Sequence, residues 1–195
     1  MRAETVVPAV IVALLAAGCS GERIVHTSDE PPPPLPTTTT PAAPPAPPRE
    51  QLVDASGYVA RPNGSAVYAF SSPSGRWVCT IVPRDRVGCQ SASRGSGLGI
   101  SGQPTAVPNA EGTPTAPNAI VVDHEGEPRF VALETPEFVV DDAPELPFGK
   151  VLVVAGFRCN VQEESGISCR SDRSGSGFTF AADGFEPRYT ELPPP

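Results

Sequence analysis

Displaced by 80 positions, "WVCTIVPRDRVGCQSASRGSGLGI" (residues 77–100) lies over "FRCNVQEESGISCRSDRSGSGFTF" (residues 157–180) without a gap. Trp77 meets Phe157, Cys79 meets Cys159, Ile81 meets Val161, Val87 meets Ile167 and Cys89 meets Cys169. The Gly-Ser-Gly at 95–97 falls on that at 175–177, Leu98 on Phe178 and Ile100 on Phe180. A match of this kind is the mark of internal duplication, so the fold must build one unit twice. If Cys79 faces Cys89 across a hairpin, Ile81 faces Val87 and Trp77 faces Ser91, all on one side, because strand side chains alternate. The turn then falls at Pro83, Arg84 and Asp85. In the second copy Phe157, Cys159, Val161, Ile167 and Cys169 share an apolar face, while Arg158, Asn160, Gln162, Ser168 and Arg170 point away to a wet one.

Directly opposed residues of a non-hydrogen-bonded antiparallel pair have Cα atoms about 4.5 Å apart, within reach of a disulfide. Links 79–89 and 159–169 would each staple a hairpin and close a loop of 11 residues. The metal and redox readings fit less well. Zinc knuckles space their ligands two to four residues apart, and nine residues intervene here. A thioredoxin-like site needs Cys-x-x-Cys, which the chain lacks. Four cysteines nevertheless allow three connectivities, and bridges between the repeats stay open at this level.

The fifth cysteine stands apart. "MRAETVVPAVIVALLAAGCS" has Arg2 near its start, an uncharged apolar run from Thr5 to Leu15, and Ala16, Ala17 and Gly18 before Cys19. It resembles a bacterial lipoprotein signal peptide, residues 1–18, in which a peptidase cuts before the cysteine and the thiol of Cys19 carries a diacylglycerol. Glu4 and the Leu15-Ala16 order depart from that pattern. The alternatives are an ordinary secretory signal or a transmembrane anchor, and the apolar run is short for the latter. All but the last place the mature chain free of or lipid-bound at the membrane, and all place it outside the cytoplasm, where paired cysteines form disulfides.

Residues 19–50 centre on "PPPPLPTTTTPAAPPAPP", which has little apolar surface to bury and favours extended polyproline II. At roughly 3.1 Å per residue such a stalk spans up to ~90 Å. From residue 51 to 192 the texture changes to short Val, Ile and aromatic runs divided by Gly, Pro, Asn and Asp. The expectation is a mainly β domain, sandwich-like or barrel-like, made from two disulfide-stapled hairpins, with residues 193–195 as a disordered tail. The net charge of -8 excludes a nucleic-acid footprint, which needs a basic face.

"FSSPSGRWVC" (70–79), "RFVALETP" (129–136), "ELPFG" (145–149) and the run from "GFRC" through "GISC" to "GSGFTF" together resemble a family of exported actinobacterial lipoproteins, mycobacterial or nocardial in type, that carry a small cysteine-paired domain of unknown function. The resemblance covers roughly residues 66–189 and implies export and a domain boundary; it implies no activity. Ser176 stands where that family often has histidine, and a middle cysteine pair is missing, with Ala132 near one of its positions.

Candidate chemistry is sparse. His26 lies in the stalk and His124 in a turn between strands at 119–123 and 129–133, with no nucleophile elbow to serve. "GLGISG" (97–102) has dinucleotide-loop spacing but opens no helix. Asp123, Glu125 and Glu127, or Asp141 and Asp142, offer oxygen ligands to calcium, although a solvated acidic face is the reading preferred here. Arg76, Arg84, Arg86 and Arg94 against Asp85 offer a basic hairpin tip to an acidic partner or anionic envelope polymer, although a solvated hairpin is the reading preferred. No catalytic, cofactor or metal residues are assigned. The resulting expectation is a lipid-anchored envelope protein that binds an envelope protein or polymer or serves structurally, with no nucleic acid. The rivals are an exported carboxylate-dependent hydrolase and a thiol redox protein.

Overall fold

The computed structural model describes residues 46–195. The signal segment, Cys19, His26 and most of the stalk lie outside the described residues. Short 3-10 turns at Arg49–Gln51 and Ala55–Tyr58 precede the first of thirteen strands, and a third at Pro62–Gly64 follows it. These are β1 (Val59–Ala60), β2 (Val67–Ser71), β3 (Trp77–Val82), β4 (Arg86–Ser91), β5 (Val107–Pro108), β6 (Pro114–Thr115) and β7 (Ala119–Asp123). They continue with β8 (Arg129–Val131), β9 (Lys150–Val154), β10 (Phe157–Gln162), β11 (Gly166–Ser171), β12 (Gly177–Ala181) and β13 (Gly184–Glu186). No helix among the described residues is long and apolar enough to cross a membrane.

Two antiparallel sheets form, ordered β1-β2-β3-β4-β7-β8 and β13-β12-β11-β10-β9, with β5 and β6 as a separate small hairpin. Leaving out β1, each sheet is a five-stranded meander read in chain order, so the duplication embraces whole sheets and not just hairpins. The registers agree across the central strands. Phe70, Cys79, Cys89 and Ile120 stand in one cross-strand row of the first sheet. Leu152, Cys159, Cys169 and Phe178 stand in the corresponding row of the second.

Alternation sends these rows inward. Trp77, Cys79, Ile81, Val87, Cys89, Ile120 and Val122 from one sheet and Leu152, Phe157, Cys159, Val161, Ile167, Phe178 and Phe180 from the other belong to a single buried cluster. The expected β class, hairpin registers and turn at Pro83–Asp85 are all present. The disulfides Cys79–Cys89 and Cys159–Cys169 join directly opposed residues with Cα atoms 4.0 and 4.1 Å apart, and all four cysteines are 0% exposed.

Two sequence expectations need correction. The match of Leu98 and Ile100 with Phe178 and Phe180 does not survive in the structure. Cys89 pairs with Ile120 where Cys169 pairs with Phe178, and Val87 pairs with Val122 where Ile167 pairs with Phe180. The offset between copies thus drops from 80 to 58 after β4, because the first copy carries an insertion of 22 residues there. Leu98 and Ile100 sit in that insertion. They are buried for another reason: the loop folds back onto Trp77, whose indole Nε1 donates to the Leu98 carbonyl at 3.0 Å.

The second correction concerns the face expected to be wet. Asn160 and Ser168 are fully buried, and Arg158 and Arg170 nearly so. Residues 187–192 lie over them as a strap. Asn160 Nδ2 donates to the Thr190 carbonyl (2.9 Å) and to the Tyr189 hydroxyl (2.8 Å), and Thr179 Oγ1 donates to the Arg188 carbonyl (2.8 Å). Arg170 stacks on the Tyr189 ring and pairs with Glu191 at 3.0 Å. Burial pushes the Tyr189 hydroxyl up to about 12, so it is a neutral hydrogen-bonding group under the strap at neutral pH.

The first sheet has the same device. Residues 133–139 cross its outer face and bury Phe138 against Ala119 and Val121. Thr80 Oγ1 donates to the Phe138 carbonyl, and the Phe138 amide donates to Gln90 Oε1, both at 2.9 Å. Thr80 and Gln90 stand 80 residues before Asn160 and Arg170. Equivalent positions in the two copies therefore grip the two straps, with different side chains suited to different passengers.

Candidate functional site

His124 sits in the β7–β8 turn as expected, but it is wedged between the two copies. Its ring lies on Phe157 with centroids 5.7 Å apart, its amide donates to the Asp85 carbonyl (2.8 Å), and its carbonyl accepts from Ser171 Oγ (2.6 Å). The nearby serine thus serves the backbone of His124 and not its imidazole. That arrangement joins two sheets and offers no general base with a nucleophile.

The carboxylates considered as a calcium or hydrolytic set disperse. Asp123 pairs with Arg129 at 2.5 Å, Glu125 with Arg173 at 2.7 Å, and Glu127 accepts from Ser176 Oγ at 2.9 Å. Asp141 pairs with Arg94 at 2.8 Å. Each of these four turns toward its own partner, and Asp142 is exposed and joins none of them. No group of three metal-ligating side chains gathers among the described residues.

The basic hairpin tip also dissolves. Arg76 stacks on Trp77 and donates to the Gly99 carbonyl at 2.7 Å, Arg86 pairs with Glu137 at 2.7 Å, and Arg94 is held by Asp141. Arg76 and Arg84 are both exposed and neither has an ion pair among the described residues, but the Arg76 guanidinium is engaged by Trp77 and Gly99. "GLGISG" is irregular chain whose Gly99, with φ 66°, leaves room that the Arg76 guanidinium fills; a Cβ there would lie 2.4 Å from Arg76 Nη2. The four paired sulfurs lie in the core, out of reach of a partner thiol.

What remains is a surface that sequence reading passed over. Phe148 is 45% exposed, the most exposed of the large apolar side chains among the described residues. It stands between Pro147 and Gly149 on the approach to β9, where a turn holds it out of either sheet's alternation. Two grooves meet at it. One, of ≈ 300 Å³, runs between the Ser72–Trp77 turn of the first copy and the β10–β11 hairpin of the second, with Pro73, Val161, Ile167, Ala181 and Ala182 in its walls. The other, of ≈ 420 Å³, continues from Phe148 to Leu192 and Pro193. Phe148, Gln162 and Glu163 line both.

The first wall is rigid for identifiable reasons. In "SSPSGRW" the Ser72 hydroxyl lies 3.0 Å from that of Ser74 and accepts from the Trp77 amide at 3.2 Å, while Gly75, at φ 65°, closes the turn. The opposite wall is the tip of a stapled hairpin. At its rim Glu163 and Glu164 are exposed, and neither carboxylate has an ion-pair partner among the described residues. The signal in the sequence was present but faint: one aromatic flanked by Pro and Gly, and one Glu-Glu pair at a hairpin tip. A rigid apolar trough with an aromatic at its centre and acids on its rim is suited to holding a ligand. Compared with known proteins, the chain matches no family model, no curated protein and no solved structure, so the reading of this site rests on its own residues.

Proposed function

We propose that the chain is an exported, lipid-anchored envelope protein of the actinobacterial type it resembles, held to the membrane through Cys19, whose β domain acts by binding or as a structural part and not by catalysis. Its partner is an envelope protein or polymer. The observation that carries this reading is the pair of disulfides in the shared core: a fold with both of its central cross-strand rows closed by S–S bonds is suited to assembly in an oxidising compartment. The apolar run ending in "LLAAGCS" supplies the address, and the dispersal of acids and His124 into structural contacts favours binding over turnover.

The test is Cys19→Ser in the full chain, followed by membrane fractionation and labelling with a clickable fatty acid. The wild-type chain is expected in the membrane fraction with acyl label, and the variant is expected to lose the label and the membrane association together. Membrane retention of an unlabelled variant would point to a helical anchor and overturn the lipid assignment.

A further inference from the structure

The trough around Phe148 has a definite ligand chemistry. We propose that it binds an extended polypeptide segment that seats an aliphatic side chain against Phe148 and places a lysine or arginine between Glu163 and Glu164. This inference deepens the binding function proposed above and rests on it. The floor is apolar, with Pro73, Ala181 and Ala182 beside the aromatic ring, and it rewards burial of an aliphatic side chain.

The rim selects by charge. Arg76 also lines this groove, but its guanidinium is stacked on Trp77 and donates to the Gly99 carbonyl, so the unengaged charge at the rim is acidic. Glu163 and Glu164 are exposed and unpaired among the described residues, and the chain as a whole carries -8. A cationic segment is drawn to that edge, whereas an anionic membrane surface or a second copy of this chain brings like charge to it. Gln162, which lines both grooves, has its amide nitrogen tied to Asn160 and to the Thr190 and Glu191 carbonyls of the strap, which fixes this part of the rim.

The experiment measures binding of three fluorescent peptides of about eight residues to the full chain in neutral detergent. One alternates Leu and Lys, one alternates Leu and Glu, and one alternates Ser and Lys. The Leu-Lys peptide is expected to bind at least about tenfold more tightly than either other, since it alone satisfies both floor and rim. Phe148→Ser is expected to weaken it by about tenfold or more. Glu163→Gln with Glu164→Gln is expected to weaken it similarly and to reduce its loss of affinity between about 0.01 and about 1 M salt, over which the screening length falls from ~30 to ~3 Å.

Equal binding of all three peptides, no binding of the Leu-Lys peptide, or binding untouched by both variants would each overturn the proposal. Self-association of the chain that Phe148→Ser dissolves would overturn it in favour of a second copy as occupant. None of these readouts depends on Cys19, so a failure here is distinct from a failure of the lipid anchor.

Discussion

Replacing Cys79 and Cys89 by alanine is expected to lower the stability of the domain by about 3 kcal/mol, and replacing Cys159 and Cys169 as well by about 6 kcal/mol in total. Each disulfide closes the same length of chain, with partners 10 positions apart, so the loop-entropy estimate is the same for both. The native state adds to it. The four cysteines are the middle members of the rows Phe70–Cys79–Cys89–Ile120 and Leu152–Cys159–Cys169–Phe178, and all are fully buried. Alanine leaves empty volume where these rows meet, and a core that cannot collapse into it loses further stability. Against a total of roughly 5–15 kcal/mol for a domain, loss of both links leaves little margin. Urea unfolding of the single-pair and double-pair variants checks this. The midpoint should fall in two comparable steps, and the slope should rise as the unfolded chain is released from its crosslinks. A double variant within ~1 kcal/mol of the wild type would show that the staples are incidental to the fold.

Gly88→Val is expected to destabilise the domain by about 1–3 kcal/mol through a residue 50 positions away in the chain. Gly88 is in β4 on the outer face of the first sheet, and a Cβ there would lie 2.4 to 2.7 Å from three carbons of the Phe138 ring. The ring has little freedom to retreat, because both backbone groups of Phe138 are bonded to Thr80 and Gln90. Phe138→Ala alone removes a side chain that is 1% exposed and is expected to cost about 3–5 kcal/mol. The two changes should not add. With the ring gone, the valine has somewhere to go, so the double variant should be more stable than the sum of the singles by about 1–2 kcal/mol. Thermal melts of the four chains close the cycle; strict additivity would mean that the strap does not rest on Gly88.

How much of this was legible beforehand varied with the kind of signal. Cys79 opposite Cys89 and Cys159 opposite Cys169 could be read because a duplicated spacing, an alternating face and a central turn all required the same register. The same reasoning failed beyond Ser91. The first copy's insertion lies between Ser91 and Ala119, and the Gly-Ser-Gly at 95–97 with Leu98 and Ile100 mimics the start of the strand that in fact begins at Ala119. Alternation also placed Asn160, Ser168 and Arg170 on the correct face. It could not show that residues 187–192 would cover them, because alternation reports which way a side chain points and says nothing about what arrives from later in the chain.

The calcium and basic-tip alternatives fall away for a related reason. Runs such as "VVDHEGEPRF" look like clusters in one dimension, yet successive side chains diverge to separate partners in three: Asp123 to Arg129, Glu125 to Arg173 and Glu127 to Ser176. Phe148 left the weakest trace, since a single aromatic in a turn has no period by which to be recognised. Its role depends on two walls drawn from opposite halves of the duplication.

A non-reducing peptide map with a free-thiol count, made on the full chain purified from an oxidising compartment, tests the duplicated, stapled architecture most directly. The account predicts peptides linked 79 to 89 and 159 to 169, with no free thiol among those four cysteines. Links between the copies, such as 79 to 169, or free thiols at these positions would contradict it.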